Sequence, residues 1–151
     1  MAALTIAQLE QAIVDRLVDE FPSVEVSGLP TDPEILGQPV GENQIWVALD
    51  NDSLTPPEGG LVGRKQFRQS QTINFVLVLR LFDLYSGRPA YGLIDQIRQC
   101  LTGLGATQAP SAVGLYSTGV RFSQFGEGLW LYQMSLEYSS NLLITNRNQG
   151  V

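Results

Sequence analysis

The chain of 151 residues, 44% hydrophobic and 16% charged, has the size and composition of one domain able to bury its own core, and is not that of a disordered chain. Its net charge of −6 argues against free binding to duplex DNA, which depends on a basic field, and so sparsely charged a surface favours contact with other subunits. With no histidine, a single cysteine and no GxGxxG, P-loop or nucleophile elbow, the chain offers no disulfide, no thiolate or imidazole metal site and no catalytic residue.

A carboxylate-only mechanism remains chemically open, but no pair of acids stands out. The expectation is a protein that is not an enzyme and takes no cofactor or metal. No run of about 18 apolar residues predicts a membrane span. The stretch MAALTIAQLEQAIVDRL carries acids and no early cations, unlike a signal peptide, which points to folding in a cytoplasm.

Thr5 and Gln8 have capping-box spacing, and Ile6, Leu9, Ile13 and Leu17 follow at helical intervals with Glu10, Asp15, Arg16, Asp19 and Glu20 on the other face. This predicts an amphipathic helix from about Ile6 to Glu20, ended by Phe21-Pro22. A short strand is expected at Val24–Ser27, then a proline- and glycine-containing connection over about 28–43. Gln44–Asp50 reads as a second strand, with Trp46 in the core or, as the alternative, at an interface.

A long loop over about 51–68 follows, of the kind that is usually functional or mobile. Beyond it, Ile73, Phe75, Leu77, Leu79 and Leu81 alternate with Thr72, Asn74, Val76, Val78 and Arg80, marking the strongest strand of the chain, Gln69–Phe82. Such a strand spans roughly 45 Å, more than an average sheet uses. Its first part, Gln66–Gln71, is therefore expected to project as a hairpin arm or extended loop.

Pro89 suits the first turn of a second helix, whose stripe is Tyr91, Ile94, Ile97, Arg98, Leu101 and Leu104, closed by Gly103 and Gly105. Cys100 falls near its buried side and reads as structural. Two final strands are expected around a Gly126-Glu127-Gly128 turn. The first has Tyr116, Val120 and Phe122 on one face, and the second has Trp130, Tyr132, Met134, Leu136 and Tyr138 on the core face. A polar tail over about 145–151 is expected to be flexible. The order α-β-β-β-α-β-β implies an α+β, two-layer sandwich: a mostly antiparallel sheet of four or five strands with both helices on one face.

This layout resembles the tail-terminator proteins of long-tailed phages, including the Mu-like contractile phages. The likeness lies in the opening helix IAQLEQAIVDRLVDEFP, the irregular segment and long strand pair after it, the helix in YSGRPAYGLIDQIRQCL and the closing aromatic hairpin. It covers Ile6 to Ile144 and rests on element order and texture, with no diagnostic motif. The resemblance implies a homo-oligomeric ring, commonly a hexamer, that caps the tail tube, ends its polymerisation and presents a surface to the neck or head and, in contractile tails, to the sheath. It implies DNA only passing through the lumen, no membrane, and a place at the tail–neck junction of the virion after assembly in the host cytoplasm. Another head–tail joining or neck protein, or a small ligand-binding α+β domain, are the alternatives.

Three of the chain's nine Lys and Arg residues, Arg64, Lys65 and Arg68, lie at the mouth of the long strand. Three roles are open to them: a solvated loop, a subunit contact in which they meet Asp50, Asp52 and Glu58 or carboxylates of the tube protein, or contact with DNA in the lumen. Guanidinium groups suit the second, because their planar fork binds carboxylates bidentately.

Overall fold

The structure, a computed structural model, describes residues 4–28, 43–57, 59–82, 88–106, 113–126 and 129–148. Its elements are α1 (Ile6–Glu20), β1 (Glu25–Gly28), β2 (Gln44–Leu54), β3 (Gln66–Phe82), α2 (Arg88–Leu101), β4 (Tyr116–Gly126) and β5 (Leu129–Thr145). They form a five-stranded sheet of order β1-β2-β3-β5-β4. The class is α+β, as the element order predicts.

Helix α1 begins where its capping box requires. The Gln8 amide donates to Thr5 Oγ1 at 3.2 Å and the Thr5 amide donates to Gln8 Oε1 at 2.9 Å, so two otherwise orphaned N–H groups are satisfied. Leu9, Ile13 and Leu17 are fully buried. They pack with Ile94, Ile97 and Leu101 of α2 against Ile45, Val47, Ile73–Leu81 at alternate positions, and Met134, Leu136 and Tyr138. Both helices therefore lie on one face of the sheet, over a single core. Tyr91, placed in the apolar stripe of α2 by its spacing, is 59% exposed instead.

Glycine has a structural reason at Gly105. Its φ of 79° lies in the left-handed region, and a Cβ there would sit 2.9 Å from the Tyr138 ring. The Tyr138 hydroxyl in turn donates to the Gly105 carbonyl at 3.3 Å, tying the end of the α2 turn to β5.

Besides the order that sets β5 between β3 and β4, the sheet departs from a plain antiparallel meander in three ways. First, β1 pairs with β2 in parallel, Glu25 opposite Gln44; the expected connection over 28–43 lies almost wholly outside the described residues. Second, one extra residue, Asp50, is accommodated between the pairs Leu49–Phe75 and Asn51–Asn74. Third, β4 has irregularities at Thr118 and Ser123. An inserted residue reverses the side-chain alternation. Tyr116, opposite Glu137, therefore lies on the other face from Val120 and Phe122, which correspond to Met134 and Tyr132.

Trp46 is buried, but on the face away from the helices, where it is opposite Val78. There the guanidinium of Arg80, wholly inaccessible, lies 5.7 Å from the Trp46 ring centre and donates through Nη1 to Gln44 Oε1 at 3.2 Å. Gln44 Nε2 donates onward to Glu25 Oε2 at 2.9 Å. Burial pushes the Arg80 pKa down from its ordinary value, and the carbonyl and ring face offset part of that desolvation.

Candidate functional site

The long strand is longer than its alternation predicts. β3 starts at Gln66 and pairs with β5 along seventeen residues, from Gln66–Thr145 to Phe82–Leu129. β2 ends opposite Gln71 and β4 begins opposite Glu137. Gln66–Ser70 and Asn141–Thr145 thus continue as a two-stranded ribbon past the neighbouring strands. The expected projection is a paired arm built from two distant parts of the chain. Of the tail expected over 145–151, Thr145 belongs to β5, the Asn146 amide donates to the Lys65 carbonyl at 2.7 Å, and residues 149–151 lie outside the described residues.

The expected 51–68 loop is also shorter, since Asn51–Leu54 extend β2 and Gln66–Arg68 open β3. Thr55 fastens its first end. Its amide donates to the Ser70 carbonyl at 3.0 Å, its Oγ1 accepts from the Ser70 amide at 3.1 Å, and its carbonyl accepts from Gln69 Nε2 at 2.6 Å. At the far end Asn146 Nδ2 donates to the Leu61 carbonyl at 3.1 Å. Gly59 and Gly60 between these anchors, and Gly63 just beyond them, take φ of 74°, 77° and 75°, a left-handed backbone that glycine adopts without strain. Val62, at the tip, is 98% exposed.

Arg64, Lys65 and Arg68 are exposed on this arm. Arg64 Nη1 donates to the Gly60 carbonyl at 3.4 Å, close to the limit for such a bond. Arg68 stands opposite Leu143, in the same alternation as Arg80, so it faces away from the helix layer. There Arg64, Arg68, Ser70, Asn141 and Leu143 line a groove of about 800 Å³. Its wall is braced by Ser70 Oγ donating to Asn141 Oδ1 at 3.3 Å. The ribbon also brings a fourth cation, exposed Arg147, to the same end, through the bond between Asn146 and Lys65. Arg147 is distant in sequence, and only the β3–β5 register reveals it.

The acids are placed differently. Asp50 is the inserted residue of β2, and Asp52 stands opposite Ile73, on the helix-layer side of the sheet. The Asp52 carboxylate accepts from Gln71 Nε2 at 3.2 Å. The register therefore puts Asp52 and Arg68 on opposite faces and about five residues apart along β3. Glu58 lies outside the described residues. One end of the molecule presents cations on one face and a carboxylate on the other.

Among the described residues no three His, Cys, Asp or Glu side chains gather into a possible metal site. The Cys100 thiol is pushed above its ordinary pKa, mainly by burial and next by the Glu20 carboxylate, with Arg16 opposing, the reverse of what a nucleophilic thiol needs. No described helix is long and apolar enough to cross a membrane.

No curated protein matches the chain. A family model described as Gp37 protein matches residues 13–149, a span running from the middle of α1 through the whole sheet and both strands of the arm. The chain belongs to this Gp37 family of bacteriophage proteins.

Proposed function

We propose that the chain is a structural virion protein whose copies associate head to tail into a ring that caps the tail tube, stops its polymerisation and joins the tail to the neck or head. Membership of a phage protein family supports the class, and the resemblance to tail terminators supports the position and a ring of about six. The observation that carries the proposal is the arm. A projecting ribbon with Arg64, Arg68 and Arg147 at its end and Asp52 on the opposite face of the sheet supplies two unlike patches. Heterologous association needs such a pair, and it closes into a ring when the rotation allows. The arm also adds the reach that a small domain needs to bury an interface of roughly 2,000 Å² or more. The protein has no catalytic role in this proposal, and DNA is a passenger in the lumen.

The test is assembly with and without the loop. Thr55 is anchored opposite Ser70, so a bridge to Lys65 must cover about five residues of strand, roughly 17 Å. Replacing Pro56–Arg64 with a flexible glycine–serine bridge of that reach should leave circular dichroism unchanged and yield a monomer by light scattering. The unaltered protein should form rings of uniform size, alone or on the ends of tail tubes in negative-stain micrographs. Rings from the loop variant would remove the Pro56–Arg64 loop from the interface. An unaltered protein that stays monomeric and never binds tube ends would sink the proposal.

A further inference from the structure

We propose that the groove between α2 and β4 receives the Leu61–Val62 tip of a neighbouring copy's arm. The inference deepens the ring proposal and rests on it. The groove is about 290 Å³ and is lined by Tyr91, Ile94, Val120, Phe122 and Tyr132, together with the Asp95–Arg98 ion pair. That volume falls below the roughly 300–1,000 Å³ of sites that hold small-molecule ligands and suits one or two side chains. Tyr91 and Phe122 are 59% and 51% exposed. Phe122 is held edge-on against Tyr132 at 5.6 Å, so the groove has a fixed aromatic wall, the type of surface on which interface anchors seat.

The occupant is argued from the other end of the molecule. Val62 is an almost fully exposed apolar side chain between glycines, and a Cβ added at Gly59, Gly60 or Gly63 would meet nothing within 4 Å. Leu61 is held to the arm through its carbonyl, which accepts from Asn146 Nδ2, while the Val62 side chain projects into solvent and can enter a narrow site. It cannot reach its own groove: Phe122 is opposite Tyr132, which is opposite Leu79, so the groove lies roughly 40 Å along β3 from the arm. Arg64 and Lys65 follow Val62 closely enough, within about 10 Å of extended chain, to meet the exposed carboxylate of Asp95. Its ion pair with Arg98 of the same helix is loose, at 3.7 Å.

The strand beside the groove fits the same guest. β4 is an edge of the sheet, and its irregularities at Thr118 and Ser123 leave a short regular run, Gly119–Phe122, between them. An edge of that length can take up the backbone of one short incoming segment and discourages indefinite strand addition.

The experiment places single cysteines in a Cys100→Ser background: Val62→Cys in one preparation, Tyr91→Cys in another, and both in a third. A disulfide demands Cα atoms within about 7 Å. On oxidation, the double variant should give a ladder of covalent oligomers on non-reducing gels, ending in a closed ring. An equimolar mixture of the single variants should give crosslinked pairs that neither gives alone. Val62→Asp, a substitution at an exposed site, should leave the fold intact and weaken assembly at least tenfold in concentration dependence. Rings that persist by light scattering without any ladder would overturn this inference and spare the ring proposal. A protein monomeric at every concentration, with no crosslinking and no binding to tube ends, would overturn both.

Discussion

Cys100 shows how neighbouring charges and burial set the character of one side chain. Its carbonyl accepts from Arg16 Nε at 3.3 Å, so the thiol sits where α2 meets the acidic and basic residues of α1. Burial and Glu20 raise its pKa, and Arg16 lowers it. At pH 8, iodoacetamide should therefore modify Cys100 several-fold more slowly in the folded protein than in urea. Glu20→Gln should speed the folded reaction and Arg16→Ala should slow it, and rates measured against pH check both signs. The linkage has a definite direction: the folded thiol holds its proton more tightly. Its contribution to stability is complete below the unfolded thiol's pKa, near 8.5, and is lost as pH rises through the folded value. Tyr132 and Tyr138, also raised by burial, act in the same direction at higher pH.

Among the elements, the arm tests how far a two-stranded ribbon is held by its own contacts. Phe67 is the large apolar side chain buried within it, 8% exposed and opposite Ile144. Isolated ribbons are marginal in water, and truncating a buried phenylalanine costs about 3–5 kcal/mol. Phe67→Ala should therefore open the arm locally: amide exchange of Gln66–Ser70 should accelerate at least about a hundredfold, while that of Ile73–Leu81 stays slow. The central half of this strand was legible in the sequence, because burial on one face imposes a period of two from Ile73 to Leu81. Its Phe82 end and the projection of Gln66–Gln71 were legible too, but the partner of that projection was not. Asn141–Thr145 meets Gln66–Ser70 across a long separation in sequence, through backbone pairing that no local pattern marks. The insertions in β2 and β4 were hidden for a related reason. One extra residue does not alter composition, yet it turns Tyr116 to the other face. Arg64, Lys65 and Arg68 could be found as a local cluster, whereas Arg147 joins them only through a long-range register.

At the scale of the whole molecule, charge is distributed against its sum. The chain is acidic overall, yet four of its nine cations gather at one end. If that end makes the subunit contact, assembly should weaken as salt rises. Exposed charges are screened over about 8 Å at 0.15 M and about 3 Å at 1 M ionic strength. Sedimentation at increasing sodium chloride should show rings giving way to smaller species, and the joint replacement of Arg64, Lys65 and Arg68 by glutamine should flatten that dependence. Rings indifferent to salt would return the cluster to the role of a solvated loop.

The same end of the molecule also has a temporal consequence. Asn146 reaches back 85 positions to Leu61, and the β3–β5 ladder beside it closes a comparably long stretch of chain. Closure of that kind is costly before other contacts have formed, so folds dominated by it are slow. The body, with its capped helix and buried strand centres, can condense first, and the ribbon zips outward from it to bring Lys65 and Arg147 together last. If the arm makes the proposed subunit contact, a subunit with a finished body and an unzipped arm could not join a ring, and the pairing of two distant segments becomes the condition for assembly.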